Sequence, residues 1–236
     1  MRIFPDVFKQ IAAQLFESPL FYRIYYNDVA GVRDYCRTNV PFSELNSLNA
    51  AGITPLALAV KGKNLTMIQT LIDFGADVNG GDRVGRTPFV HALAGQVSAH
   101  KWEILDLLLK NGADANEPDK TGRGGVFYAL QSKDPALLGY VLKNGGNPDQ
   151  QATDGSTPVL TAINQCCVEA VRQLMAAGAD MYAENKYGVT PWQAARRFLS
   201  ETACQSLKSF EHQLLKCSAH TLPPGVLEDM SAHIHT

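Results

Sequence analysis

The residues best suited to covalent chemistry are the adjacent thiols Cys166 and Cys167. A cysteine becomes a nucleophile or a redox-sensitive group when it ionises, and a helix N-terminus lowers its pKa in that direction. Spacing puts Cys167 in register with Asn64 and Asp134, at the start of a helix. No His or carboxylate is tied to the pair by a familiar catalytic pattern, so the plain expectation is an incidental thiol open to oxidants. Cys217, His220, His233 and His235 include metal-ligand types, but C-x2-H…H-x-H follows no familiar zinc spacing and lies in a stretch that reads as a solvated tail. Gly122, Gly124 and Gly125 suggest a phosphate loop, yet neither GxxxxGKS/T nor GxGxxG is completed and no strand precedes them. Paired carboxylates and a Ser/His/Asp order are missing. An enzyme would need a site assembled by the fold, near Cys166/Cys167 or the segment 95–101; the expectation is no catalysis, no cofactor and no metal.

The totals narrow the partners. With 236 residues, 45% hydrophobic and 19% charged, the chain is globular in composition and long enough to bury a core. A net charge of -2 supplies no overall field toward DNA or an anionic membrane. Five cysteines are an odd number in a chain too large to need stapling, which points to reduced thiols and a cytoplasmic setting, in the producing cell or, for an effector, in a host. The opening MRIFPDVFKQ has no uninterrupted apolar run and does not read as a secretory signal. No apolar stretch approaches the roughly 18 residues that a membrane span needs.

What positions these residues is a repeat. NAAGITPL at 49–56, DRVGRTPF at 82–89, ATDGSTPV at 152–159 and NKYGVTPW at 185–192 share one pattern, and DKTGRGGV at 119–126 keeps its Asp and Gly but loses Thr-Pro. Gly52, Gly85, Gly122, Gly155 and Gly188 are 33, 37, 33 and 33 residues apart. A second motif runs in phase: FGADVN at 74–79, NGADAN at 111–116, NGGNPD at 144–149 and AGADMY at 177–182. Self-similarity at this period signals stacked repeats. Thr54, Thr87, Thr157 and Thr190 suit helix N-caps, and the proline after each suits the first helical position, where its missing N–H is harmless. A second helix follows, with Leu65, Ile68, Leu71 and Ile72 in one unit and Ile104, Leu105, Leu108 and Leu109 in the next. Gly75, Gly112, Gly145 and Gly178 end it where φ is positive, and Asp134-Pro135 marks the start of one such helix.

A unit of turn, Thr-Pro-apolar helix, second helix and Gly-Ala-Asp resembles the ankyrin repeat. The resemblance covers five units over about 49–217 and implies an all-α solenoid of helix-turn-helix units with β-turn or hairpin tips. The family's His after Thr-Pro-Leu is replaced here by Ala57, Val90, Phe127, Leu160 and Gln193. The expected organisation is a capping helix over 1–18 with a stripe of Phe4, Val7, Phe8, Ile11 and Leu15. A degenerate first repeat follows over 19–51, with Asn39 in the left-handed role. Five repeats with a C-terminal cap then occupy 52–217, and 218–236 form a tail. Repeat two carries four extra residues between its helices, around 95–101. Phe89 and Trp192 fall at the buried Leu position and are expected in the core.

In that family the turn tips and first helices line a concave face that selects a partner protein. Carried over by position, the candidates are Arg83, Val84, Arg86, His91, Lys120, Arg123, Tyr128, Asp154, Lys186 and Tyr187. Leaving aside Asp82 and Asp119, which open their tips and are expected to point into the turn, five cations against one anion, Asp154, favour a partner with an acidic segment, and Arg and Tyr are common interface anchors. The resulting expectation is a non-enzymatic recognition module: an adaptor, tether or inhibitor, compatible with a delivered bacterial effector. A nucleic-acid binder using the same basic tips is the other reading, distinguishable by its salt dependence.

Overall fold

The computed structural model describes residues 18–38, 41–95 and 100–200. The chain divides into two compact units, Met1–Thr153 and Asp154–Thr236. Unit one contains α1 (Pro19–Tyr25), α2 (Val29–Arg37), the short α3 (Phe42–Leu45), α4 (Pro55–Lys61), α5 (Leu65–Asp73), α6 (Pro88–Ala94), α7 (Lys101–Lys110), α8 (Gly125–Gln131) and α9 (Pro135–Lys143). Unit two contains α10 (Pro158–Asn164), α11 (Val168–Ala176) and α12 (Pro191–Ser200). The described residues are helical, with turns and no strand.

The Thr-Pro starts work as their chemistry requires. In unit one the Thr54 and Thr87 hydroxyls accept from the amides of Ala57 at 3.2 Å and Val90 at 3.3 Å. In unit two Thr157 accepts from Leu160 at 3.3 Å and Thr190 from Gln193 at 3.1 Å. Gln193 reciprocates by accepting from the Thr190 amide at 3.1 Å, which closes a capping box. At the other positions where the family has His, Ala57, Val90, Phe127 and Leu160 are buried. Asp134 caps α9 through the Ala136 amide at 3.0 Å. Gly75, at φ 90, ends α5 in the left-handed conformation that other residues resist. Gly112, Gly145 and Gly178 stand alike.

The repeat that lost Thr-Pro has a physical reason. The Gly125 amide donates to the Ala115 carbonyl at 2.8 Å, a bond proline cannot make. A Cβ at Gly125 would stand 2.7 Å from that oxygen, and one at Gly124 would stand 2.2 Å from Gln150 Oε1.

Packing is by nearest neighbour. α4, α6 and α8 pack on one another in order and each packs on its own outer helix, α5, α7 and α9; α1 lies on α4 and α2 on α5. Phe89, Leu56, Ile68, Leu71, Leu105, Leu108 and Leu137 are fully buried. Each such side chain contributes about 1.5–3 kcal/mol of apolar burial. In unit two α10 packs on α11 and α12. Trp192 departs from expectation: it is half-buried, not enclosed as Phe89 is.

Asparagine clasps join successive repeats of unit one. The Asn79 side chain accepts from the Asp114 amide at 2.8 Å and donates to the Gly112 carbonyl at 3.0 Å. Asn116 repeats this on the Asn147 amide at 2.6 Å and the Gly145 carbonyl at 2.9 Å. Asn46 accepts from the Asp77 amide at 2.7 Å. The extra residues of repeat two lie between Ala94 and Lys101, with 96–99 outside the described residues. Also outside them are the expected helix stripe at Phe4–Leu15, Asn39, the last cap around Leu207, Phe210, Leu214 and Leu215, and the tail with Cys217, His220, His233 and His235.

Candidate interaction surface

The tips at 82–89, 119–126 and 185–192 are each built around their first residue. Asp82 Oδ1 accepts from the Val84 and Arg86 amides, both at 2.9 Å. Asp119 Oδ1 accepts from the Thr121 amide at 2.7 Å, the Thr121 hydroxyl at 2.6 Å and the Arg123 amide at 3.0 Å. In unit two Asn185 does the same for Tyr187 and Val189, at 2.9 and 3.0 Å. Gly85 completes its turn at φ 89, and a Cβ there would come within 2.9 Å of the Lys120 amide nitrogen. That close approach lets adjacent tips bond: Arg83 N–H to Gly52 O at 2.7 Å and Lys120 N–H to Val84 O at 3.0 Å. The tips of unit one form a fixed row.

The second carboxylate oxygen reaches the first helix of the same repeat. His91 Nε2 lies 3.0 Å from Asp82 Oδ2, which also receives Arg86 Nε at 3.0 Å. Nine residues on from Asp119, the Tyr128 hydroxyl donates to Asp119 Oδ2 at 2.6 Å. His91 and Tyr128, read from sequence as contact residues, are therefore turned onto their own tips. The His91 side chain is only 8% exposed. Sequence reasoning placed His91 and Tyr128 behind the tips but missed that Asp82 and Asp119 each hold a residue nine positions later. The constant spacing of Asp82 to His91 and Asp119 to Tyr128 carried that signal.

Electrostatics follow from these bonds. Burial works to raise the Asp82 carboxyl, but the amides of Arg86 and Val84 and the Arg86 guanidinium outweigh it and hold its pKa below the ordinary value. Burial pushes the His91 imidazole down, and Arg86 and Lys61 add to this against the pull of Asp82. Asp119 is depressed despite its burial, through the Thr121 and Tyr128 hydroxyls and the Arg123 and Thr121 amides. Tyr128 is raised, first by burial and then by its bond to Asp119.

The tip cations do not present alike. Arg83 is exposed and donates to the Ala50 carbonyl at 3.3 Å, while Lys120 is exposed. Arg86 is committed to Asp82 at 3.0 Å. Arg123 lies with its guanidinium 5.9 Å from the Phe127 ring centroid, and its Nε is buried without a hydrogen-bond partner. Val84 is 47% exposed beside Arg83. In unit two Lys186 and Tyr187 are exposed, and Asp154 Oδ1 accepts from the Ser156 amide at 3.0 Å.

The thiol candidates belong to unit two. Cys167 is the N-cap residue of α11, as its register implies, but makes no cap bond with its side chain. Cys166 precedes it at φ 53, where Lys63 and Lys133 stand in unit one at 58 and 57. Cys36 and Cys167 carry free thiols, and no cluster of three His, Cys, Asp or Glu residues able to hold a metal occurs among the described residues. No helix among them is long and apolar enough to cross a membrane. Lys101 was not picked out by sequence. Its ammonium donates to the carbonyls of Leu93 at 2.9 Å and Gly95 at 3.0 Å, and so closes the end of α6 where the extra residues interrupt the usual tight connection.

Comparison with known proteins agrees with this architecture. Residues 14–123 match a family model described as ankyrin repeats (3 copies). The chain is similar to the crystal structure of the ankyrin repeat domain of Bcl-3, a member of the IkappaB protein family. That match has 25% identity and a TM-score of 0.66, over 75% of this chain and 77% of that one. It is also similar to an ankyrin repeat domain from Acinetobacter baumannii AYE, at 24% identity and a TM-score of 0.68, over 85% of this chain and 97% of that one. The curated proteins gave no match in sequence. Ankyrin repeats are generally protein–protein interaction modules, and their scaffold is typically non-catalytic. With Thr-Pro caps, in-phase glycines, clasped repeats and stacked helix pairs all in place, the described residues build the fold of an ankyrin-repeat protein.

Proposed function

We propose that the protein is a non-enzymatic recognition module that holds a segment of another protein against the tips and first helices, and acts by tethering, masking or inhibiting it. The observation that carries this is the row of tips in unit one, whose backbone is fixed by Asp82, Asp119 and tip-to-tip bonds while Arg83, Val84 and Lys120 stay exposed. A backbone already fixed loses little further ordering entropy on binding. Arg86, His91, Arg123 and Tyr128 act as supports of the row. In unit two Lys186, Tyr187 and Asp154 are the matching contact candidates. Residues 19–51 serve as a capping repeat on the same reading.

The test compares wild type with Arg83→Glu/Lys120→Glu by affinity capture and mass spectrometry, after matching unfolding midpoints show both are folded. Loss of a captured partner in the variant supports the assignment; identical partner sets would sink it.

A further inference from the structure

We infer that the recess between the ends of α4 and α6 takes the carboxylate of an Asp or Glu side chain flanked by apolar residues on the bound segment. This rests on the protein-docking reading above and names the partner's chemistry. The recess has a volume of about 270 Å³, with an apolar floor of Val60, Ala92 and Ile104 and a cationic rim of Lys61, Lys63 and Lys101. Pockets that enclose whole small molecules run from roughly 300 to 1,000 Å³, so this one suits a single side chain with its apolar neighbours.

The charge of Lys61 and Lys63 is not neutralised by any residue that lines the recess. No Asp or Glu lines it, and Lys61 and Lys63 have no ion-pair partner among the described residues. Lys61 lies in the last turn of α4, where it also offsets the helix dipole. Lys63 lies beyond the helix, at φ 58, and has no such role. The Lys101 ammonium uses two of its three N–H bonds on the Leu93 and Gly95 carbonyls, leaving one. His91 lines one side, and the Asp82 carboxylate that holds it is 2% exposed and already paired with Arg86. Burial is the main cause that lowers the pKa of His91 and of Lys101; Lys61 adds to the first against Asp82, and Lys63 to the second against Asp134. The neighbouring recess, about 340 Å³ beside α8, shares Lys101 but contains Asp134. Charge complementarity therefore singles out the recess beside α4 for an acid.

The experiment pans a phage-displayed random dodecapeptide library on the full chain. Selected peptides are then measured by fluorescence anisotropy against wild type and Lys61→Gln/Lys63→Asn. Both lysines are exposed, and Asn tolerates positive φ, so this variant keeps the fold. The expected peptides share one Asp or Glu beside apolar residues. Their affinity falls roughly tenfold in the variant, and replacing the peptide acid by Gln costs wild type a similar factor and the variant little more. Peptides with no shared acid, or an acid whose replacement costs the variant just as much, overturn the assignment. If Arg83→Glu/Lys120→Glu weakens the peptides and Lys61→Gln/Lys63→Asn does not, the docking reading stands and the carboxylate anchor falls. If no peptide is selected, both fall. Binding of single-stranded oligo-dT that the lysine variant abolishes would instead assign the recess to phosphate and overturn the peptide carboxylate.

Discussion

Replacing Asp82 by Ala removes the residue on which one tip depends. Its carboxylate accepts two backbone amides at 2.9 Å, Arg86 Nε at 3.0 Å and His91 at 3.0 Å, and the side chain is only 2% exposed. A hydrogen bond to a charged group contributes about 1.5–3 kcal/mol, and a buried donor left without a partner costs a similar amount. The Arg86 pair has one end 41% exposed and is worth under about 1 kcal/mol. Water reaches the freed tip amides, so the terms do not add, and the expected loss for Asp82→Ala is about 3 kcal/mol. Asp82→Asn keeps an oxygen for the two amides and puts an NH2 toward Arg86 and His91, for a loss of about 1–2 kcal/mol. Urea unfolding followed by circular dichroism measures both, and an unchanged m-value shows that the comparison is of stability alone. A loss below about 0.5 kcal/mol for Asp82→Ala would refute the claim that this carboxylate fixes the tip, because such a loss is ordinary for a surface position.

Two further outcomes follow. His91 is depressed by burial, so the unfolded chain takes up a proton first; stability falls as pH drops through about 6.5. Asp82 and Asp119 are also depressed, so their stabilisation is present above about pH 4 and is lost below it. His91→Gln should flatten only the first fall in a series of urea midpoints against pH; a profile identical to wild type would contradict the assignment. Restoring the repeat consensus with Gly124→Thr/Gly125→Pro should lower stability by about 2–4 kcal/mol, because the Gly125 bond to Ala115 is lost and the ring crowds its oxygen. A raised urea midpoint, the usual result of a consensus change, would show that the backbone there is free to shift.

The repeat and its caps were legible because their causes are local. Thr54, Thr87, Thr157 and Thr190 bond amides three residues away, and Gly75 ends its helix through its own φ. The tips were half legible. Their solvent-facing positions follow from the repeat, but whether a cation there is free depends on side-chain partners. Arg86 sits on Asp82 and Arg123 over Phe127, while Arg83 and Lys120 remain exposed, and no single-residue pattern separates these pairs. The recess at Lys61, Lys63 and Lys101 was illegible for another reason. Lys101 follows the extra residues of repeat two, and the recess joins its side chain to those of the preceding repeat, a meeting that the common pattern does not contain.

The asparagine clasps have a consequence for how such a chain can change length. Asn46, Asn79 and Asn116 each reach with the side chain to the unit that follows, at the loop before its tip. A duplicated unit arrives carrying its own clasp and finds the atoms it needs in whatever unit comes next. Extra residues between Ala94 and Lys101 fall at the other end of the helix pair, away from every clasp. Gene duplication and loop growth thus act on separate ends of the same unit, and the exposed surface can diversify without reopening the joints that hold the array together.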